Sequence, residues 1–439
     1  MQQVAYPSHL HRATRSSRPP PFIGTLRVLE YRRMPAEYPT HTIILRTHNY
    51  NRVSFGALLG ACPESTLRRF RPILWESDDP PPPELLGAHV LLLYSFMLPH
   101  RDGVADEVNR IRALVTENGR HIDIWAGGAE ATLNTALVEA IGFDLVLAGE
   151  GEELFPTLLA RWLDDDRPAG LHRTPPGQVD LDRYPGFHPI AKYLPPIELS
   201  RGCVYGCAFC AVPALHKGTL RHRSVGHVLE IAAAYLRHAT ARKRIKFLAS
   251  NAFAYGSPDG HKPNLEALHA LLSGLKRIGV PEISLGSFPS EVRPDFVTRE
   301  ILELVRPFLS NNTIVMGIQS PFDHRLRGIG RGHTIEQAVR AIELLREFRF
   351  RAHVDFIIGM PGETPQEQDE LLTFMERIVH DYGVRIHMHT FMPLPGARWA
   401  DKLAEPITPS ARNRLRALAS AGVLDGWWEN QIAYSRRRE

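Results

Sequence analysis

The stretch Arg201-Gly202-Cys203-Val204-Tyr205-Gly206-Cys207-Ala208-Phe209-Cys210 places three of the four cysteines of the chain in the spacing C-x-x-x-C-x-x-C. It follows residues 197–199 (Ile-Glu-Leu), which are predicted to form a β-strand, so the three thiols lie on a loop at a strand end. Gly202 and Gly206 permit the tight turns that would bring the thiolates around one centre. Cys62 stands alone far upstream, which argues against a disulfide framework and for a metal or cluster site in a reducing compartment.

The chemistry of the loop leaves two kinds of centre open. Thiolates are preferred ligands of both iron-sulfur clusters and zinc. A structural zinc ion would need a fourth ligand, and His216 is the nearby candidate. Three thiolates without an obvious fourth ligand instead favour a four-iron cluster with one iron open to a substrate or cofactor. Structural zinc and unconnected core cysteines are the alternatives.

Downstream of the loop, short apolar segments alternate with helical patterns. Because six strand-helix repeats are too many for a small sheet and too few for a complete eight-stranded barrel, the pattern predicts a partial (β/α)6 TIM-like barrel over residues 197–400. Its chemistry is expected at the carboxyl ends of the strands. The predicted strands are residues 197–199, 245–248, 283–285, 313–316, 354–358 and 386–391.

Upstream of the loop, residues 41–165 show a similar alternation. This pattern is typical of an N-terminal doubly wound, Rossmann-like parallel sheet in an α/β protein. The proline-dotted residues 166–196 are predicted to be a linker, residues 1–40 an irregular basic extension, and residues 401–439 a C-terminal helical tail. The predicted strands of the sheet are residues 43–45, 90–93, 122–125 and 145–147.

Composition excludes several classes of protein. The chain is 44% hydrophobic and 23% charged, which is typical of a globular protein. Its 439 residues are too many for a lone binding module. A net charge of +4, partly carried by the two ends of the chain, gives no strong case for a nucleic-acid partner. No apolar run approaches the ~18 residues of a membrane span, and no signal peptide is apparent. We therefore expect a cytoplasmic protein.

The cysteine loop, with an aromatic residue before its last cysteine, resembles the motif of the radical S-adenosylmethionine (SAM) superfamily. The resemblance continues in order through the branch of that superfamily that carries an N-terminal cobalamin-binding domain, and it covers nearly all of residues 42–400. Four further segments carry it: GIQS at 317–320, RGHT at 331–334, DFIIGMPGET at 355–364 and FMPLPG at 391–396.

The resemblance implies a [4Fe-4S] cluster on Cys203, Cys207 and Cys210, with SAM chelated by the open iron. An electron would cleave SAM to methionine and a 5′-deoxyadenosyl radical that abstracts a substrate hydrogen. Its partners would be a small-molecule substrate and an electron donor such as flavodoxin or ferredoxin. The resemblance further implies SAM contacts from Phe209, Gln319, Arg331, Gly359, Pro361 and Gly362.

The segment after the second barrel strand departs from the family. Many relatives carry acidic residues there that grip the amino group of SAM, whereas this chain has Ser250 and Asn251. Their neutral oxygens can still accept a hydrogen bond, but the charge-assisted contact is lost. Glu291 and Arg293, after the third strand, are further candidates for polar contacts with SAM.

Two glycine-rich stretches at strand ends of the first sheet resemble the loops of a cobalamin-binding domain. They imply bound cobalamin, the alternative being a sheet that only serves as a scaffold. His48 has the offset of an axial ligand, but Arg46 and Asn51 replace the family's Asp and Gly, so the orienting carboxylate is absent. A solvent-ligated or five-coordinate cobalt is the alternative. The implied cobalamin residues are His48, Ser95, Gly127, Gly128, Gly149, Glu150, Gly151 and Glu152.

Taken with this resemblance, the sequence favours a cobalamin-dependent radical SAM methyltransferase acting on an unactivated carbon. A radical SAM cyclase, oxidase or rearrangement enzyme without methyl transfer is one alternative, and an RNA-modifying factor that uses the basic tails is another. The isolation of Cys62 counts against the methylthiotransferase branch, whose N-terminal domain carries a second cluster. The sequence does not identify the substrate.

Overall fold

The computed structural model describes residues 39–189, 193–238 and 244–435. Residues 1–38 of the predicted extension, residues 190–192 of the predicted linker and Arg436 to Arg438 lie outside the described residues. Within them, the chain forms two α/β units that follow one another in sequence.

A six-stranded parallel sheet organises the first unit. Its strand order, β2-β1-β3-β4-β5-β6, reverses direction between β1 and β3, and such a switch point opens a crevice at the carboxyl edge of the sheet. The strands are β1 (His41–Thr47), β2 (Phe70–Glu76), β3 (Val90–Ser95), β4 (Asp123–Gly127), β5 (Leu145–Ala148) and β6 (Gly170–Arg173). The helices are α1 (Arg52–Ala61), α2 (Glu64–Leu67), α3 (Arg101–Glu117), α4 (Gly128–Leu133), α5 (Thr135–Glu139) and α6 (Leu154–Leu163).

Helices cover both faces of this sheet. In β1, Ile43 packs with Phe55 of α1 on one face, and Ile44 packs with Val108 of α3 on the other. All six residues of β3 are buried, as expected for a strand enclosed by helices on both sides. The prediction of a doubly wound sheet is confirmed.

The outermost strands of the sheet were not predicted. β2 contains Pro72 and charged residues, and β6 reads Gly-Leu-His-Arg with exposed side chains, so neither has a buried apolar run. Both are edge strands, where one side of the ladder needs no partner. Because β6 pairs with β5, the sheet extends into the predicted linker, and that boundary was wrong.

The second unit is an arc of parallel strands with helices outside. Bridges from Ala249 to Ser290 and from Val292 to Met316 join its two hydrogen-bonded groups of strands. The strands of the unit are β7 (Ile197–Glu198), β8 (Ser200–Gly202), β9 (Leu220–His222), β10 (Arg244–Leu248), β11 (Glu282–Ser284), β12 (Thr313–Gln319), β13 (Arg351–Ile358), β14 (Arg385–Thr390) and β15 (Leu424–Asp425). Of these, β8 and β9 pair antiparallel with each other outside the arc. The helices are α7 (Val212–Leu215), α8 (Val225–His238), α9 (Leu265–Arg277), α10 (Arg299–Val305), α11 (Asp323–Ile329), α12 (Ile335–Glu347), α13 (Pro365–Tyr382), α14 (Pro409–Ser420) and α15 (Trp428–Gln431).

The six predicted strands coincide with β7, β10, β11, β12, β13 and β14, so the partial barrel is confirmed. The predicted helical tail contains α14 and α15, but it also contains β15, which pairs with β14 and adds a seventh parallel strand. Two residues are too short a strand to leave a pattern in the sequence. Among the described residues, no helix has both the length and the apolar character needed to cross a membrane.

Candidate functional site

The cysteine loop runs from β8 to α7 and its three thiols face one cavity of about 60 Å³. Cys207 and Cys210 are buried, Cys203 is half-buried, and none forms a disulfide. Gly202 has a φ of 90°, and a Cβ there would lie 1.9 Å from the Thr219 carbonyl oxygen, so the turn requires glycine. Gly206 has neither a positive φ nor a close neighbour, so the backbone at that position does not require glycine.

The cavity brings together most of the predicted SAM-binding residues. Phe209, Ser250, Asn251, Glu291, Arg293, Gln319 and Arg331 all line it with the three cysteines. Gly359, Pro361 and Gly362 do not. Their backbone is engaged nearby, since the Gly362 amide donates to Glu405 at 2.8 Å and Arg325 donates to the Pro361 carbonyl at 3.0 Å.

Arg331 is buried beside the cysteines. Its Nη1 lies 3.7 Å from the Cys207 sulfur, its Nη2 donates to the Gly317 carbonyl at 2.7 Å, and its buried Nε has no partner within the described part of the chain. Burial alone would lower the pKa of Arg331, but the neighbouring Cys207 raises it above its ordinary value. The site therefore holds a permanent cation with one unused donor.

Gly317 makes room for this arrangement. A Cβ at this position would lie 2.4 Å from Nε2 of Gln319 and 2.6 Å from Nη2 of Arg331. Gln319 ends β12 next to a bulge and has a φ of 77°, a strained conformation for a residue other than glycine. The GIQS segment thus positions two cavity side chains at once.

Arg293 helps to hold the cavity wall. Its guanidinium lies 3.5 Å from the centre of the Tyr205 ring, its Nε pairs with Asp295 at 3.0 Å, and its Nη2 donates to the Arg331 carbonyl at 2.7 Å. Asn251 accepts from the Arg293 amide at 3.3 Å, while its buried Nδ2 has no partner among the described residues. Arg293 likewise keeps its buried Nη1 without a partner among the described residues, so each of the two side chains has an unused donor.

Two cavity residues escaped the sequence analysis as site residues. Asp355 of β13 and His389 of β14 line the cavity, and Oδ1 of Asp355 is buried without a partner within the described residues. Burial, reinforced by Glu291, raises the pKa of Asp355 well above its ordinary value. Burial likewise lowers the pKa of His389, so that imidazole is neutral. A carboxyl group between the core residues Val354 and Phe356 was a signal that could have been noticed.

A second cavity, of about 750 Å³, lies between the two units at the carboxyl edge of the first sheet. It shares Gly202, Val212 and Ser250 with the cysteine cavity, so the two cavities adjoin. Seven of the eight predicted cobalamin-binding residues line it, namely Ser95, Gly127, Gly128, Gly149, Glu150, Gly151 and Glu152.

His48 is the predicted residue that does not line this cavity. Its ring stacks on Tyr50, which does line it and which stacks on His100 with ring centres 3.9 Å apart. Burial and then the charge of Arg46 lower the pKa of His48 to about 4. Asn51 holds the loop to β3 by donating to the Ser95 carbonyl at 2.9 Å. The imidazole is neutral, and it does not line the cavity.

The carboxylates of Glu150 and Glu152 pair with the barrel. Glu152 accepts from Arg201 at 2.6 Å, and Glu150 accepts from Arg221 at 3.0 Å and contacts Nδ1 of His216 at 3.0 Å. Burial would raise the pKa of Glu150, but the hydrogen bonds from His216 and Arg221 lower it to about 2. His216 lines the large cavity and not the cysteine cavity, so it is not placed as a fourth zinc ligand.

The donor set fits a cluster with a polar ligand on its open iron. Three reduced thiols converge on one cavity, a buried guanidinium neutralises negative charge beside them, and unused polar atoms of Arg331, Asn251 and Asp355 surround the space. Thiolates are the usual ligands of iron-sulfur clusters.

Comparison with known sequences identifies this part of the chain. Residues 197–375 match the sequence model of the radical SAM superfamily. An uncharacterized protein of Methanopyrus kandleri is 30% identical over 223 residues, which are 49% of this chain and 40% of that protein. The ribosomal protein uS12 methylthiotransferase of Thermus thermophilus is 28% identical over 229 residues, 50% of each chain. These matches span half or less of the relatives' own length.

Two solved structures share the fold at low sequence identity. The cobalamin-dependent SAM radical enzyme OxsB with aqua-cobalamin bound has a TM-score of 0.55 and 19% identity, covering 78% of this chain and 52% of that one. The radical SAM methyltransferase TsrM from Kitasatospora setae with cobalamin and a [4Fe-4S] cluster bound has a TM-score of 0.57 and 16% identity, covering 82% and 76%. Residues 197–375, which carry the three cysteines, are thus the part of the chain that is similar to the radical SAM superfamily.

Proposed function

We propose that this radical SAM enzyme is cobalamin-dependent and methylates an unactivated carbon of a small-molecule substrate. The observation that carries the proposal is the junction of two cavities at Gly202, Val212 and Ser250. One cavity is lined by three thiols, and the other lies at the ligand-binding edge of a doubly wound sheet. The fold shared with two cobalamin-bound enzymes supports the second cofactor.

In the first cavity, Cys203, Cys207 and Cys210 would hold the [4Fe-4S] cluster. When bound, the cluster and SAM supply the radical chemistry of the superfamily. Arg331 would bind the carboxylate of SAM through its unused Nε, since a buried guanidinium forms strong charge-assisted hydrogen bonds. Glu291 lines the same cavity and would provide the carboxylate that the segment after β10 lacks.

The remaining polar groups would orient SAM. The Nδ2 of Asn251 is an unused donor, and the Oδ1 of Asp355 is an unused acceptor that suits a hydroxyl group. Gln319 lines the same cavity, while Phe209 lines it and also packs with Ile357 and Phe391. A buried donor or acceptor without a hydrogen-bond partner costs free energy, so a polar ligand that pairs with these groups gains affinity.

In the second cavity, the glycine-rich segments 127–128 and 149–151 would let the corrinoid approach the backbone closely. When bound, cobalamin supplies a carrier for the methyl group. His48 would not serve as a cobalt ligand, because it does not line the cavity. Glu150 and Glu152 would hold the edge of the cavity in place through their pairs with Arg221 and Arg201 of the barrel, and would not bind the cofactor directly.

Methylthio transfer, the reaction named for the Thermus relative, is disfavoured by the first unit. Its lone cysteine, Cys62, is buried and donates to the Leu58 carbonyl at 3.4 Å. Burial raises the pKa of the Cys62 thiol to about 12. The described residues of this unit therefore lack the thiolates that a second cluster would need.

The test is anaerobic reconstitution with iron, sulfide and hydroxocobalamin, followed by quantification of iron and corrinoid and an assay with methyl-labelled SAM. We expect about four iron atoms and one corrinoid per chain, and both 5′-deoxyadenosine and S-adenosylhomocysteine as products. Deoxyadenosine without homocysteine would indicate a radical reaction without methyl transfer. Iron without corrinoid would contradict the role given to the first unit, and Cys203→Ala controls for the cluster.

A further inference from the structure

A cluster of two histidines and one carboxylate lies in the barrel at the amino-terminal half of its last strands, away from the strand ends that carry the cysteine loop. It consists of His353 on β13, His387 on β14 and Asp425 on β15. The register places His387 beside Asp425, with His353 beside Arg385 two residues earlier on β14. Their neighbours Val354, Ile386 and Leu424 belong to the outer core, so strand alternation turns the three side chains towards the lumen.

The three side chains converge on one oxygen atom. The Oδ1 of Asp425 lies 3.2 Å from Nε2 of His353 and 2.5 Å from Nδ1 of His387, and the three ligand atoms all lie within 4.8 Å of one another. The Oδ2 of the same carboxylate accepts from Nη2 of Arg385 at 3.1 Å. Arg385 thus holds the carboxylate by its outer oxygen, as partners of metal ligands commonly do.

We propose that His353, His387 and Asp425 form a binding site for a divalent transition-metal ion such as Zn²⁺. Imidazole nitrogen and carboxylate oxygen are ligands that zinc prefers, with water completing a tetrahedral set. Tetrahedral ligands about 2.0–2.1 Å from the ion lie roughly 3.3 Å apart, a spacing that His353 and Asp425 already have. The contact between Asp425 and His387 must open by less than about 1 Å.

The edge of the barrel gives the ion a route and the carboxylate room to adjust. The side chain of Asp425 is 36% exposed, whereas that of His387 is 5% exposed. An ion bound here would tie β13, β14 and β15 together at the last strand of the arc. The three residues do not line the cysteine cavity, but the ring of His387 contacts that of His389, which does line it, with ring centres 4.6 Å apart.

The test uses the full-length, cluster-loaded protein, equilibrated with Zn²⁺ at neutral pH and analysed for zinc and iron by mass spectrometry. We expect one zinc per chain with the cluster iron retained. Asp425→Asn and His353→Gln should each weaken zinc binding by at least about tenfold. His380→Gln is the matched control, because this exposed histidine also contacts an aspartate, Asp381, at 2.8 Å but has no third ligand in the cluster.

Three results would overturn the proposal. Absence of zinc uptake by the unmodified protein, or zinc uptake unchanged in both variants, would show that the three residues form a hydrogen-bonded cluster and no metal site. Zinc uptake that displaces iron would place the ion at the cysteines. If circular dichroism shows that Asp425→Asn does not fold, the zinc content of His353→Gln alone tests the proposal. The side chain of His353 is partly exposed, and its loss leaves the pairs of Asp425 with His387 and Arg385 in place.

Discussion

Replacing Arg201 with methionine removes one of the cations that link the two units next to the cysteine loop. Its Nη2 lies 2.6 Å from Glu152, and its Nε and Nη2 both lie 2.8 Å from Glu198. Its side chain is 11% exposed and that of Glu152 is 7% exposed. Without Arg201 these carboxylates are left buried with fewer cations, and Glu152 loses the ion pair that it forms in the described structure.

The size of the effect follows from that burial. Removing one partner of a buried ion pair costs about 3–5 kcal/mol, because the remaining charge is left uncompensated. We expect the free energy of unfolding in urea, followed by tryptophan fluorescence, to fall by this amount in Arg201→Met. The matched control is Arg299→Met, which breaks the exposed pair with Glu347 and should leave the midpoint unchanged.

The pH dependence gives a second measurement on the same variant. Glu150 has a folded-state pKa of about 2 against an ordinary 4.5, so its stabilisation is present above about pH 4.5 and is lost as the pH falls towards 2. Loss of Arg201 removes one of the charges that lower the pKa of Glu150, so Glu150 is protonated at a higher pH in the folded variant than in the unmodified protein. The difference in stability between the two proteins should therefore narrow below pH 4.5. A loss under about 1 kcal/mol at pH 7 would refute the reasoning.

The remaining predictions concern the cofactors. Cys203→Ala should abolish cluster absorbance and deoxyadenosine formation, whereas Cys62→Ala should keep both; retained absorbance in the first variant would contradict the ligand assignment. Arg331→Met should weaken SAM binding, measured by calorimetry, by roughly 10- to 150-fold, because a hydrogen bond to a charged group contributes about 1.5–3 kcal/mol. The iron content of the same sample should be unchanged. His48→Ala should leave the absorption spectrum of bound corrinoid unchanged, and Tyr50→Ala should lower corrinoid affinity; a spectral shift in His48→Ala would restore its ligand role.

Buried strands were predictable because each carries a continuous apolar run. β3 and the apolar part of β13 are examples, since helices cover both faces of the first and the outer face of the second. β2, β6 and β15 were missed because edge position or brevity removes that run. The apolar pattern of a strand arises from its burial, so strands that are barely buried have little of this pattern in their sequence.

Site residues were predictable where local sequence fixes their place. The cysteines sit in one loop, and Gln319 follows directly from the strand before it. The pairing of Glu150 with Arg221 joins residues 71 positions apart, so no local pattern announces it. The resemblance to cobalamin domains implies that this carboxylate contacts the cofactor, and the structure adds that it pairs with Arg221 and His216 of the second unit.

Ala208, at the centre of the cysteine loop, is hydrogen-bonded on both sides by distant parts of the chain. Its amide donates to the Ile329 carbonyl at 2.8 Å, and its carbonyl accepts from the Trp399 amide at 2.9 Å. The backbone between the second and third thiols is therefore fixed by residues 121 and 191 positions further along the chain. We expect the loop to be held in place only once the barrel has closed around it, and cluster insertion to follow that closure.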